Sequence, residues 1–170
     1  MSVRRLSGDD WATWRALSTM SAQLDVELDR RLRAVANVSQ AEFQVLSTLN
    51  EVPDGRLRPG ELGELLGWEK SRVSHQLTRM ESRGLVERDN CDVDARGTWV
   101  SLTVAGREAV ATIADQYGAA IQELLFDALD GSERKNLHVA AVRVLERLNP
   151  VACEIAEEVG MAPGRSAARA

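Results

Sequence analysis

The sequence is poor in the residues that staple a small protein or load it with metal. Its 170 residues include 2 cysteines, Cys91 and Cys153, and 2 histidines, His75 and His138. The cysteines do not form a CxxC pair, which excludes a disulfide framework. Too few soft or imidazole ligands exist for a dedicated four-ligand zinc site. No metal and no cofactor are therefore expected. The 4 prolines and 7 aromatics argue against Pro-rich and aromatic-blade architectures. No apolar run approaches the roughly 20 residues of a membrane helix. The N-terminus, Met1-Ser2-Val3-Arg4-Arg5-Leu6, leads into polar sequence with no apolar signal-peptide core. A cytoplasmic location without membrane contact is the expectation. With 44% hydrophobic and 28% charged residues, the chain suits one globular domain with an arm.

The formal charge of −5 is unevenly spread. Residues 1–55 carry 6 cations and 8 anions, residues 56–107 carry 9 and 8, and residues 108–170 carry 6 and 10. Only the middle third is not acidic. There Lys70, Arg72, Arg79, Arg83 and Arg88 face only Glu81 and Glu87 between positions 70 and 88. Overall acidity does not exclude nucleic acid, because affinity follows the phosphates actually met. On charge alone, a solvated helix face is the plainer reading. Of the 21 cations 19 are arginine, a forked donor suited to phosphates and guanine edges.

Periodicity predicts a mainly α chain with a small β-hairpin. Asp9 or Asp10 can cap a first helix whose apolar positions Trp14, Leu17, Leu24, Leu28, Leu32 and Val35 recur at helical spacing. About 25 helical residues span roughly 37 Å, long enough to suggest packing against a partner. Asn37 ends that helix. Ser39-x-x-Glu42 is a capping box for a second, with Phe43, Leu46 and Leu49 as its buried stripe. Pro53-Asp54-Gly55 is a turn. Pro59 to Gly67 reads as a short helix, Glu69 to Arg83 as another, stopped by Gly84. Two such helices joined by a tight glycine-containing turn are a helix-turn-helix candidate.

The second of that pair has two faces. Val73, Leu77 and Met80 fall at core spacing. Lys70, Ser71, Arg72, Ser74, His75, Gln76 and Arg79 fall elsewhere. Guanidinium, amide and small hydroxyl groups on an exposed helix are what a DNA major groove requires. The small serines also let the positive helix end approach a phosphate. Arg72 and Gln76 suit base edges, while Lys70, Ser71 and Arg79 suit phosphates. Leu85 to Arg88 and Thr98 to Thr103 then read as strands flanking a polar loop, the arrangement of a winged helix. Val100 and Leu102 share one face. Trp99 falls on the other with no partner evident. Long helices follow through Val110, Ile113, Tyr117, Ile121 and Leu124, and from Ser132 to Leu148, where Pro150 interrupts. Residues 160–170 lack an apolar period and read as a disordered tail.

The run from Leu62 to Arg88, with Leu65-Leu66-Gly67-Trp68, Lys70-Ser71-Arg72-Val73-Ser74-His75-Gln76-Leu77 and Gly84-Leu85-Val86, resembles the recognition segment of MarR-type transcriptional regulators. Asp92-Val93-Asp94-Ala95-Arg96-Gly97, followed by Val100-Ser101-Leu102-Thr103 and Gly106, resembles that family's wing signature. The resemblance spans about residues 10 to 150. It implies a winged helix-turn-helix (39–103) between long terminal dimerisation helices (9–36 and 104–150). It also implies a homodimer on a pseudo-palindromic promoter site, usually as a repressor, with double-stranded DNA as partner. The recognition helix enters the major groove. By position, Arg96 is the wing arginine for the minor groove and Asp94 the acid that orients it. A small aromatic, often anionic effector is implied near Trp14, Leu17 and Phe43, with Arg15 as a nearby cation. Those three apolar residues could equally fill the core.

Other features are read conservatively. Cys91 in the wing and Cys153 beyond the last clear helix have no activating neighbour, so passive thiols are expected. His75 suits a hydrogen bond to DNA better than a metal. Trp68 is expected to wedge the helix-helix turn. No Walker, dinucleotide-fingerprint, GxSxG or HExxH motif occurs, so an enzyme is not expected. A winged helix that binds protein, or a constitutive DNA binder without ligand control, are the competing readings.

Overall fold

The computed structural model describes residues 5–90 and 98–159. Cys91, Asp94, Arg96 and the 160–170 tail lie outside the described residues. Seven α-helices and a three-stranded antiparallel sheet are described. The first helix, α1, runs from Gly8 to Ala36, 29 residues or about 44 Å at the standard rise. Its cap is not Asp9 or Asp10 but Ser7. Ser7 Oγ accepts from the Asp10 amide while the Asp10 carboxylate accepts from Ser7, a reciprocal box. Asp10 is thus the third residue of the helix and closes the box. Asn37 ends α1 in the left-handed region, φ 52°, which asparagine tolerates better than most residues.

The second helix, α2 (Gln40–Glu51), starts on the expected Ser39–Glu42 box. It places Phe43, Leu46 and Leu49 in the core. A two-residue strand β1 (Arg56–Leu57) follows, then α3 (Pro59–Leu66), α4 (Lys70–Ser82), β2 (Val86–Asn90) and β3 (Thr98–Leu102). Strand order is β1-β3-β2, so the expected hairpin gains a third strand. Leu57 and Val100 are paired, and both are fully buried. The core gathers Leu46, Leu49, Leu57, Leu62, Leu77, Met80 and Ile113 from every layer. Burying such side chains contributes roughly 1.5–3 kcal/mol each.

The Thr103-x-x-Gly106 signature has a steric cause. Thr103 caps α5 (Val104–Leu124) by accepting from the Gly106 amide, and its hydroxyl donates to the Gly84 carbonyl at 2.6 Å. A Cβ at Gly106 would lie 2.1 Å from the Leu85 carbonyl oxygen. No side chain fits there while that backbone stays in place.

Helix α5 packs along α1 and over α2. Next come a 3₁₀ turn, Phe126–Ala128, and α6 (Gly131–Leu148), capped by Asp130 with Glu133. Pro150 does interrupt, but it also opens α7 (Pro150–Glu158) at its first turn, where Pro costs no hydrogen bond. Cys153 therefore lies on a helix and not beyond the last one, and its thiol is half-buried and free. Helix α7 packs on α3, and Asn149 Nδ2 donates to the Glu64 carbonyl at 3.2 Å. No helix among the described residues is long and apolar enough to cross a membrane.

Candidate nucleic-acid interface

Helix α4 is held by its apolar side. Val73, Leu77 and Met80 are buried, as their spacing predicts. Lys70, Ser71, Arg72, Ser74, His75 and Arg79 are exposed, and Gln76 is half-exposed. These seven side chains therefore share one helix and avoid its buried stripe. Its N-cap, Glu69, makes no side-chain capping bond, and the first turn contains no acid. The leading amides and their positive partial charge thus stay available to an anion.

The turn before α4 is tight for a stated reason. Gly67 takes φ 64°, and the Trp68 amide donates to the Gly63 carbonyl at 2.8 Å. A Cβ at Gly63 would meet the Trp68 carbonyl at 3.1 Å and Val73 at 3.3 Å. Trp68 packs partly buried against the core, the expected wedge. It also serves Arg72, whose guanidinium stacks 4.0 Å from the indole centroid. Such stacking orders an arginine and keeps its edge donors outward.

Two of the five cations counted between 70 and 88 are turned to structural work. Arg83, just past α4, donates to Glu42 at 2.6 Å and to the Asn37 carbonyl at 2.8 Å. It ties the end of α4 to the junction of α1 and α2. Burial pushes the Glu42 carboxyl up. The Ser39 amide and hydroxyl, with Arg83, outweigh this and hold it below the usual range. Arg88 on β2 reaches back to the Thr78 hydroxyl at 3.1 Å and lies 3.6 Å from Glu81. It fastens the sheet to α4. Both residues would pass for solvated charge in sequence, because their partners are folded against them from elsewhere.

A cleft of about 530 Å³ separates α4 from the start of α3 and the β2–β3 pair. Pro59, Gly60, Lys70, Ser74, Arg88 and Thr98 are among its lining residues. On the outer face of the sheet, Trp99 has two partners that sequence reading missed. The guanidinium carbons of Arg56 and Arg58 each lie 4.8 Å from its ring centroid. The only local sign was the alternation Arg56-Leu57-Arg58, too short to announce a strand.

The expected effector residues are not brought together within one chain. Phe43 is buried, its ring 4.4 Å from that of Tyr117 on α5. Trp14 is 60% exposed and, with Leu17, lines a shallow concavity on α1 closed by Asp25. Arg15 is exposed on the same helix. Among the described residues no group of three or more His, Cys, Asp or Glu side chains could hold a metal.

A helix-turn-helix braced by a three-stranded sheet, its second helix bearing solvent-facing arginines, defines a winged-helix protein. A MarR family sequence model matches residues 36–97, from the end of α1 into the wing. Sco3205 of Streptomyces coelicolor, a MarR family transcriptional regulator solved in complex with DNA, superposes with a TM-score of 0.83. It is 31% identical, and the match covers 88% of this chain and 94% of that one. AbsC of the same organism, also a MarR family regulator, gives 0.79 at 29% identity over 86% and 98%. The transcriptional repressor MprA of Escherichia coli K12 is 25% identical over 130 residues, 76% of this chain and 73% of MprA. The chain belongs to the MarR family of transcriptional regulators.

Proposed function

We propose that this chain is a homodimeric transcriptional repressor of the winged-helix type that binds double-stranded DNA. The observation that carries the reading is the solvent face of α4. It sets Lys70, Ser71, Arg72, Ser74, His75, Gln76 and Arg79 opposite a buried Val73-Leu77-Met80 stripe, with an uncapped N-terminus. Arg72 and Gln76 read base edges, and Lys70, Ser71 and Arg79 hold phosphates. By the family resemblance, Arg96 is assigned to the minor groove, with Asp94 as its acidic partner. The DNA-bound Sco3205 and the repressor MprA support this assignment.

Dimerisation is supported by apolar surface left in water. Trp11, Trp14 and Leu17 on α1, and Val144, Leu145 and Leu148 on α6, are all exposed. Such area is covered in obligate dimers, whose interfaces often exceed about 2,000 Å². In a dimer the two recognition helices meet successive turns of DNA, roughly 34 Å apart. A small aromatic anion that prefers another helix separation lowers DNA affinity by its differential affinity for the two states. With Phe43 closed off, Trp14 and Leu17 remain the exposed apolar groups for it.

The test is a gel shift with the DNA upstream of the chain's own coding sequence. Retardation that is lost in Arg79→Ala is expected. No retardation with a folded, dimeric chain would favour the protein-binding alternative. A thermal-shift screen of aromatic acids, with each hit returned to the gel shift, separates ligand control from constitutive binding.

A further inference from the structure

The feature least explained by a recognition helix and a wing tip is the stack of two arginines on Trp99. We propose that Arg56 and Arg58 form a second, separate phosphate-binding site, gripping the DNA backbone beside the major-groove contact. The inference rests on the DNA-binding reading above and extends it to the sheet.

Three observations point this way. The first is placement. The ladder pairs Arg56 with Ser101 and Leu57 with Val100, so Arg58 falls opposite Trp99 one step further on. Residues 56, 58, 99 and 101 thus share the outer face, while Leu57 and Val100 fill the core. The second is order. Guanidinium groups at 4.8 Å from one indole are held by its π-face, and less side-chain freedom is lost when they bind. The third is availability. Among the described residues neither Arg56 nor Arg58 has a carboxylate within ion-pair distance, unlike Arg83 or Arg88.

The pair also borders the proposed DNA surface. Pro59 and Gly60, directly after Arg58, line the cleft whose other wall is Lys70 and Ser74 of α4, while Thr98 and Arg88 line it from the opposite face of the sheet to Trp99, so the pair meets the cleft at the start of α3. Within the sheet the carboxylates of this face are on the β2 side, where Glu87 pairs with Ser101 and Asp89 with Trp99. Beside β1 the carboxylate of Glu61 on α3 accepts from the Arg58 backbone amide at 2.6 Å. Glu87 accepts from the Ser101 hydroxyl at 3.3 Å. The face is therefore polarised, positive on its β1 side and negative on its β2 side. A phosphate strand running past α4 and the start of α3 would meet the positive side. Contacts of this kind add affinity without reading sequence.

Because phosphate contacts ignore sequence, the probe is random-sequence double-stranded DNA. Binding is followed by fluorescence anisotropy across a salt series. Arg56→Gln with Arg58→Gln removes both charges. Affinity should fall on the order of tenfold per lost contact near 0.1 M salt, and the salt slope by about two per protomer. Trp99→Leu keeps the charges and removes the platform, so affinity should fall while the slope is retained. Should the double variant fail to fold, the single Gln variants carry the same test with half the slope change. An unchanged slope in a folded double variant, alongside a reduced slope in Arg79→Gln, overturns this inference and leaves the recognition helix in place. That outcome would point to an acidic protein as the partner of the arginine stack. Absence of DNA binding by the unaltered dimer overturns both readings.

Discussion

The winged-helix body and the helical arms handle apolar surface in opposite ways. In the body, Leu46, Leu57, Leu62 and Met80 are sealed from water. In the arms, no residue of α6 is buried, and the N-terminal half of α1 is exposed throughout. Both regions contain helices with reciprocal caps, α2 in the body and α1 and α6 in the arms, so local propensity is not the difference. The difference is what the apolar stripe faces. A body that closes on itself can fold as one chain. Arms that expose Leu148 at 74% leave an apolar stripe that the rest of the chain does not cover.

The largest effect should come from charging that surface. Leu145→Glu with Leu148→Glu places two carboxylates in the proposed interface, where burial without partners costs several kcal/mol. The dimer dissociation constant should rise at least on the order of a hundredfold. Light scattering should then report 18.7 kDa at micromolar protein. Unchanged mass in that variant, or a stable monomer in the parent, would remove α6 from the interface. The α4 core should be untouched, because Val73 and Leu77 lie in a buried cluster to which α6 contributes no residue.

Breaking the body instead of the arm calls for Gly106→Ala. The added methyl meets a backbone oxygen at 2.1 Å and has no flexible neighbour to displace. Overpacking typically costs about 1–3 kcal/mol, and this case belongs at the upper end. Urea denaturation should show a lowered midpoint with an unchanged slope. A midpoint within error of the parent would mean that the β3–α5 corner yields freely.

How much was legible in sequence follows the same division. Elements set by neighbours three or four residues apart were readable: the Ser39–Glu42 box, the left-handed stops at Asn37, Gly67 and Gly84, and the Val73-Leu77-Met80 stripe. The Ser7 cap was misplaced because two adjacent aspartates compete as caps, and only geometry makes Asp10 the reciprocal partner. Strand β1 was missed because two residues show no period. Its existence depends on pairing with β3, some 44 residues away. Helix α7 was missed because a proline can stop one helix or open the next, and Asn149 decides for the latter by capping Ala152. The split of α4 into a buried stripe and an exposed polar face is local and was legible. The assignments of Arg83, Arg88, Arg56 and Arg58 are long-range and were not.

Glu42 tests the seam between the two regions at intermediate cost. Its side chain is 5% exposed and binds Arg83, which also holds Asn37 at the end of α1. Glu42→Gln keeps the shape and removes the charge. Leaving Arg83 against a neutral partner should cost about 1–3 kcal/mol. The carboxyl is held low in the folded chain, so its contribution is full above its ordinary value of 4.5 and fades as pH falls through the folded value. The acid limb of the parent's stability curve should therefore be steeper than the variant's. Parallel limbs would show that the pair does not form in solution.

The smallest expected change concerns charge on the arm itself. Glu27 accepts from Arg30 at 2.7 Å and from Arg31 at 2.9 Å, and Arg31 also reaches Glu123 of α5 at 2.9 Å. Arg30 first, and Arg31 second, hold the Glu27 carboxyl down at about 2. These groups face water, so their pairing is screened and its effect on stability is slight. The readout must be the titration and not the melting. In Arg30→Gln the NMR midpoint of Glu27 should move up from about 2 toward 4.5, stopping short because Arg31 remains. Since the group is depressed, any stability it adds is present above 4.5 and lost as pH falls toward 2. High salt should raise the parent's midpoint in the same direction. If Arg30→Gln leaves it near 2, Arg31 alone sets the Glu27 charge. The Arg31–Glu123 contact would then be a firmer tie between α1 and α5 than its exposure suggests.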